Sequence, residues 1–463
     1  MADFAKSHVP QFSIEVYQNE FLPQDAQEVN AIVTVTATGS GGAAVAGGGP
    51  PEPEPVGGGR GGPRAAVVVM LDCSGSMDYP PTKIRNAKRA TEAAVDTLRD
   101  GVAFALVAGT HTAREVYPGG GRLAVADATT RAAAKEALRT LDAAGGTAIG
   151  TWLRLADRLF AATPAAIRHG ILLTDGRNEH EEPERLKEAL DACAGRFTCD
   201  ARGVGTDWEV AEVTGIASAL LGTADIVAEP EGLAEDFTAM MEAAMGKEIG
   251  DVALRLWTPQ GAAVEFVKQV APAVEDLTGR RSEAPPRSGD YPTGSWGDES
   301  RDYHVCVRVP AVGVGHEMLA ARVALVVRHP EDPSGPPATT LGQGLVRAVW
   351  TDDLAAATAI SPQVAHYTGQ AELAQAIHEG LASRKEGDEA GATAKLGRAV
   401  QLAHGSGNDE TAKLLAKVVD VEDAARGTVR LKARVAQADE MTLETRSTKT
   451  VRVKKQPIED EKP

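Results

Sequence analysis

Ala65-Ala66-Val67-Val68-Val69-Met70-Leu71-Asp72-Cys73-Ser74-Gly75-Ser76 is the stretch on which the reading of this chain turns. Its first seven residues are apolar without interruption, the pattern of a strand buried on both faces. The strand then delivers a carboxylate and two hydroxyls at two-residue spacing, on a turn loosened by Gly75. Groups of this kind can converge on one hard cation that prefers oxygen ligands, so the segment reads as half of a metal site.

Two later segments carry the chemistry to complete it. Ala144-Gly145-Gly146-Thr147 offers a third hydroxyl on a glycine-rich loop, and Ile171-Leu172-Leu173-Thr174-Asp175-Gly176 offers a second carboxylate at the end of another apolar strand. In an open parallel sheet, ligands bind outside the carboxyl ends of the strands, where pieces distant in sequence meet. The bland alternative makes Asp72 a helix cap, Ser74 and Ser76 turn residues, and Thr147 and Asp175 ordinary loop positions.

In this order, Asp72-x-Ser74-x-Ser76, Thr147 and Asp175 resemble, residue by residue, the metal-ion-dependent adhesion site of von Willebrand factor A domains. The resemblance implies a bound Mg2+ or Mn2+ in octahedral geometry. Ser74, Ser76 and, in the ligand-competent state, Thr147 would bind it directly, and Asp72 and Asp175 largely through water. A sixth position would be left for the acidic side chain of a protein partner. It also implies a bacterial intracellular protein of a kind that often works beside ATPases or in signalling clusters.

Composition narrows the field independently. A chain of 463 residues exceeds one ordinary core, and with 43% apolar but only 4% aromatic residues its cores must be packed by Ala, Gly and Val. A formal net charge of -17 argues against a general nucleic-acid binder and favours cation binding. Cys73, Cys193, Cys199 and Cys306 show no ligand spacing and read as reduced thiols, with a Cys193 to Cys199 pair as the lesser alternative. The first residues lack the apolar core of a signal peptide, and no run is long enough to span a membrane, which together point to a cytoplasmic protein.

The expected architecture is a doubly wound α/β A domain inserted in, or followed by, a β-sandwich, with a helical unit at its C-terminal side. Residues 1–38 read as a β-hairpin of the sandwich, and residues 39–64 as a flexible Gly/Pro linker. Residues 65–247 alternate strand and helix and make the A domain. Residues 248–360 read as sandwich strands, at 252–257, 303–309, 320–327 and 344–350. Residues 361–425 read as three helices, at 363–383, 388–404 and 408–424. Residues 426–463 are basic, with an edge strand over 428–435 returning to the sandwich and then a flexible tail. Thr442, Thr445, Thr448 and Thr450 in that tail are candidate phosphorylation sites.

Catalytic readings fare poorly. A phosphoryl-accepting aspartate of the haloacid-dehalogenase type needs a second aspartate two residues on as general acid, and that position is Ser74. Gly203-Val204-Gly205-Thr206-Asp207-Trp208 opens like a dinucleotide fingerprint but lacks its third glycine, and Asp207 would repel a pyrophosphate. Glu179-His180-Glu181-Glu182 sits at a helix start, where acids favour the dipole. The expected function is therefore a non-catalytic, metal-dependent protein-interaction module or scaffold. The alternative is a phosphorylation-controlled signalling adaptor acting through the tail, with a structural metal.

Overall fold

The computed structural model describes residues 10–39, 65–284, 286–328 and 338–453. The expected Gly/Pro linker and the end of the basic tail lie almost wholly outside these residues.

The central sheet runs in the order Ala224–Val227, Thr198–Val204, Ile167–Thr174, Ala65–Asp72, Ala103–Gly109 and Ala113–Tyr117. Its first five strands are parallel; Ala113–Tyr117 is antiparallel. Side chains alternate across the pleat, so Val68 and Met70 face one core while Val67, Val69 and Leu71 face the other. The helix Ile149–Ala161 covers the first face with Trp152, Leu153 and Phe160. Thr82–Thr97 and Leu233–Met245 cover the second with Ala87, Val95, Phe237 and Met241.

The order explains where a ligand can bind. After Ala65–Asp72 the chain moves to one side, to Ala103–Gly109, and then crosses back to the other, to Ile167–Thr174. The strand order reverses between Ala65–Asp72 and Ile167–Thr174, and the crevice of a doubly wound sheet opens at the carboxyl ends of such a pair. Asp72 and Asp175 stand at those two ends.

Two sheets, antiparallel except where Phe21–Leu22 runs parallel to Ala338–Trp350, pack face to face beside this domain. One has the order Gln11–Gln18, Glu28–Thr38, Glu299–Arg308, Ala263–Ala271 and Glu275–Asp276. The other has the order Ser282–Ala284, Ser288–Gly297, Lys247–Trp257, Glu317–Arg328, Ala338–Trp350 and Phe21–Leu22. Their shared core holds Trp296, Trp350, Tyr303, Val33 and Leu254. The N-terminal strands thus pair with strands that follow the α/β domain, and the domain is an insertion in the sandwich. Ala263–Ala271 and Ser288–Gly297 were not expected as strands; the second carries Gly289, Pro292 and Gly294, which erase its alternation.

The C-terminal part departs most from expectation. Pro362–Lys385 and Glu389–Ser406 form the expected helices, but the third, Asp409–Val418, stops early. The expected helix over 408–424 is corrected to a helix followed by the strand Val419–Asp423. Val419 and Val421 suit a strand, and Gly427 at φ +69° supplies the turn to the next strand. That strand, Thr428–Leu431, pairs with Val419–Asp423 and not with the sandwich edge.

Nor are residues 437–453 a flexible tail. Gln437–Arg446 is a helix whose Leu443 enters the core made by Leu373, Ile377, Leu396 and Leu415, while Met441 packs on the α/β domain. The division at residue 425 is therefore replaced by one helical unit that continues through this segment. Among the described residues, no helix is long and apolar enough to cross a membrane.

Candidate metal centre

Three loops build the site at the reversal point. Cys73 N–H donates to Gly109 O and Ala144 N–H to Cys73 O, each at 2.8 Å, and Gly75 N–H reaches Gly145 O at 2.8 Å. These main-chain bonds tie the Asp72 to Ser76 turn to the glycine loop that carries Thr147. Gly146 has to be small because a Cβ there would meet the His180 ring at 2.2 Å.

The five predicted side chains come together. Asp72 accepts from Ser74 N–H at 2.8 Å through Oδ1 and from Thr174 Oγ1 at 2.7 Å through Oδ2. Ser76 Oγ donates to Asp175 Oδ1 at 2.6 Å and lies 2.9 Å from Ser74 Oγ. With the Ser76 proton committed to Asp175, Ser74 is the donor of the Ser74 to Ser76 bond. A Cβ on Gly176 would sit 3.2 Å from Ser76 Oγ and 3.6 Å from Thr147 Oγ1, so both hydroxyls face the hollow left by that glycine. Asp72 and Asp175 are fully buried, Ser74 and Thr147 almost so, and Ser76 opens to solvent.

The donor set fits a hard divalent ion: two carboxylates and three hydroxyls, all oxygen, around a glycine-made hollow with one exposed wall. The charge balance fits as well. Burial, with a lesser push from the charge of Asp175, raises the Asp72 pKa to about 6 against the hydrogen bonds from Ser74 and Thr174. The local cation is Lys83, whose Nζ lies 2.7 Å from Asp175 Oδ2 and 3.3 Å from Asp207 Oδ2. Burial works to lower the Lys83 pKa, but Asp175 and then Asp207 outweigh it and hold the ammonium charged.

Several residues around the site escaped the sequence reading. Lys83 stands in the first turn of Thr82–Thr97, where a cation opposes the helix dipole, and only the fold shows what holds it. His180 accepts from Thr147 N–H at 3.3 Å through Nδ1, and its main-chain N–H donates to Thr147 O at 3.0 Å. Glu181 does not serve the helix that follows it in sequence. It accepts from Gly150 N–H at 2.8 Å, while Asn178 Oδ1 accepts from Ile149 N–H at 2.7 Å, so together they cap the helix behind Thr147. The Gly203 to Trp208 segment is a packing device: a Cβ on Gly203 would strike the Trp208 ring at 2.0 Å.

The candidate phosphorylation sites are largely engaged. Thr442 Oγ1 donates to Ala438 O and Thr450 Oγ1 to Val270 O, each at 2.6 Å, Thr445 is buried, and Thr448 O accepts from Val274 N–H at 2.8 Å. All four cysteines are buried and unpaired.

A doubly wound domain with an all-oxygen cluster at its switch point, set into a β-sandwich, defines the class of this molecule. Residues 65–226 match the von Willebrand factor type A domain, and residues 401–447 match the von Willebrand factor type A C-terminal domain. A solved von Willebrand factor type A protein from Catenulispora acidiphila is 50% identical, with 97% of this chain and 99% of that one covered and a TM-score of 0.88. The chain belongs to the von Willebrand factor type A family. The crystal structure of the ArnB paralog VWA2 from Sulfolobus acidocaldarius shares the fold across 96% of this chain and 100% of its own, with a TM-score of 0.56 and 14% identity. The uncharacterized protein sll0103 of Synechocystis is 30% identical over 215 residues, 45% of this chain. The matched part spans about half the length of that curated relative, 49%.

Proposed function

We propose that the chain is a non-catalytic interaction module that holds Mg2+, or Mn2+, on Asp72, Ser74, Ser76, Thr147 and Asp175 and uses it to capture an acidic side chain of a protein partner. The observation that carries the reading is the hydroxyl chain from Ser74 through Ser76 to the buried Asp175, with Asp72 behind it and one exposed wall in front. When bound, the ion supplies a positive point for an incoming carboxylate.

The chain's own residues do the rest. Asp72 is fixed by Ser74 N–H and Thr174 and orients the serine turn. His180 fixes the Thr147 main chain, and Lys83, shared between Asp175 and Asp207, leaves the carboxylates with negative charge in excess, which favours a cation. Domains of this family are interaction modules, and the sandwich and helical unit offer a rigid frame on which such a site can be presented.

The test is calorimetric titration of Mg2+ and Mn2+ into chelator-treated protein, wild type against Ser74→Ala and Asp72→Ala. One saturable site in the wild type that both substitutions abolish is the expected result. A silent wild type, or equal binding by the variants, overturns the metal reading. Partner capture that EDTA leaves untouched overturns the interaction reading alone.

A further inference from the structure

A deep cleft lies far from the metal centre, where the opposite edge of the central sheet meets the sandwich. Its volume is about 1080 Å³, which is ample for a small organic ligand. A Cβ on Gly250 would strike Ala166 O at 2.3 Å, so the two domains touch main chain to main chain at its side. Phe197, Leu221 and Val252 give it an apolar surface.

Its charge runs against that of the chain. The lining includes Arg168, Arg196 and Arg328, with Asp251 the one carboxylate among the described lining residues. Arg196 is engaged by Asp157. Arg168 Nε is buried with no hydrogen-bond partner among the described residues, a costly state for a guanidinium donor. Arg328, at the end of Glu317–Arg328, likewise has no side-chain partner among them. In a chain of net charge -17, two guanidinium groups at one cleft with no side-chain partner among the described residues mark a place built to receive negative charge.

We propose that this cleft binds a small organic phosphate, its anionic group taken by Arg168 and Arg328 and its apolar body resting on Phe197, Leu221 and Val252. A guanidinium fork matches phosphate oxygens in pairs, and a dianion satisfies two such groups where a single carboxylate satisfies one. The site is separate from the proposed metal centre, because Arg168 stands near the start of Ile167–Thr174 and Asp175 follows its far end.

The experiment titrates phenyl phosphate and inorganic phosphate into the full chain in EDTA, so that no divalent ion can hold the anion. Phenyl phosphate is expected to bind at one site, at least about 10-fold tighter than inorganic phosphate, because only it covers the apolar surface. Arg328→Gln and Arg168→Gln are each expected to weaken it by about 10-fold or more, and Arg196→Gln by no more than about 2-fold, since Asp157 already engages that guanidinium. Circular dichroism establishes which variants are folded, and Arg328, half-exposed at a strand end, is the variant expected to keep its fold. Absence of saturable binding, equal affinity for the two phosphates, or undiminished binding by either folded variant overturns the proposal. Because the titration is made without metal, its failure leaves the metal centre untouched.

Discussion

Lys83 is the residue on which the energetics of the metal centre turn. Its side chain is 12% exposed, and its ammonium sits against Asp175, whose side chain is fully buried. Without Lys83, Asp175 would keep only the Ser76 hydroxyl among the described residues. Lys83→Met is therefore expected to lower stability in EDTA by about 3–5 kcal/mol, the range for stranding one member of a buried pair. Saturating Mg2+ should restore more stability to the variant than to the wild type, because ion binding then neutralises a site that nothing else neutralises. Urea unfolding of both proteins, in EDTA and in Mg2+, measures the two effects. An unchanged midpoint in EDTA would remove Lys83 from the electrostatics of the site. This residue also marks the limit of what the sequence makes legible. Asp72, Ser74, Ser76, Thr147 and Asp175 could be found because each follows a buried strand or a glycine loop at fixed spacing. Lys83, His180 and Glu181 act across loops, and neither periodicity nor spacing reveals a contact of that kind.

At the scale of elements, apolar pattern located the strands and helices of the central domain but faltered where a pattern suits two structures. Residues 418–421, Val-Val-Asp-Val, can continue a helix stripe or alternate as a strand, and tertiary packing ends the helix at Val418 and starts the strand at Val419. The choice rests on a close approach. A Cβ on Gly397, inside Glu389–Ser406, would meet Gly427 O at 2.3 Å, so the hairpin turn lies directly on the helix main chain. A Cβ on Gly405 in the same helix would meet nothing within 4 Å among the described residues outside its own helix backbone. Gly397→Ala is expected to cost more than about 2 kcal/mol, because main chain and not a mobile side chain must move. Gly405→Ala should gain about 0.5–1 kcal/mol from helix propensity. Thermal unfolding of the two variants side by side separates packing from propensity. Equal shifts would mean that the hairpin does not rest on the helix.

Across the whole molecule, the segment over residues 446–452 fastens three units to one another. Arg446 and Lys449 both pair with Asp225 on the edge strand of the α/β domain, each at 2.8 Å. Thr450 N–H reaches Pro272 O at 2.9 Å in the sandwich, and Arg452 grips the buried Asp302 at 2.7 and 2.9 Å, beside Thr34 and Tyr367. His366, on the first helix of the helical unit, bonds Val451 O at 2.7 Å. Deleting residues from 441 onward would therefore also take Met441 and Leu443 out of two cores, and loss of partner capture on such a deletion would not identify a docking tail. Point substitutions ask the cleaner question. Arg446→Met with Arg452→Met removes one grip on each neighbouring unit while leaving both cores filled. Each partly exposed pair should contribute on the order of 1 kcal/mol, with more for Arg452 because Asp302 is buried. The expected result in calorimetry is an earlier, separate unfolding of the helical unit, along with faster proteolysis between it and the sandwich. A single transition at the wild-type temperature would mean that the helix contacts alone hold the three units together, and that the basic segment is fastened to them without fastening them to each other.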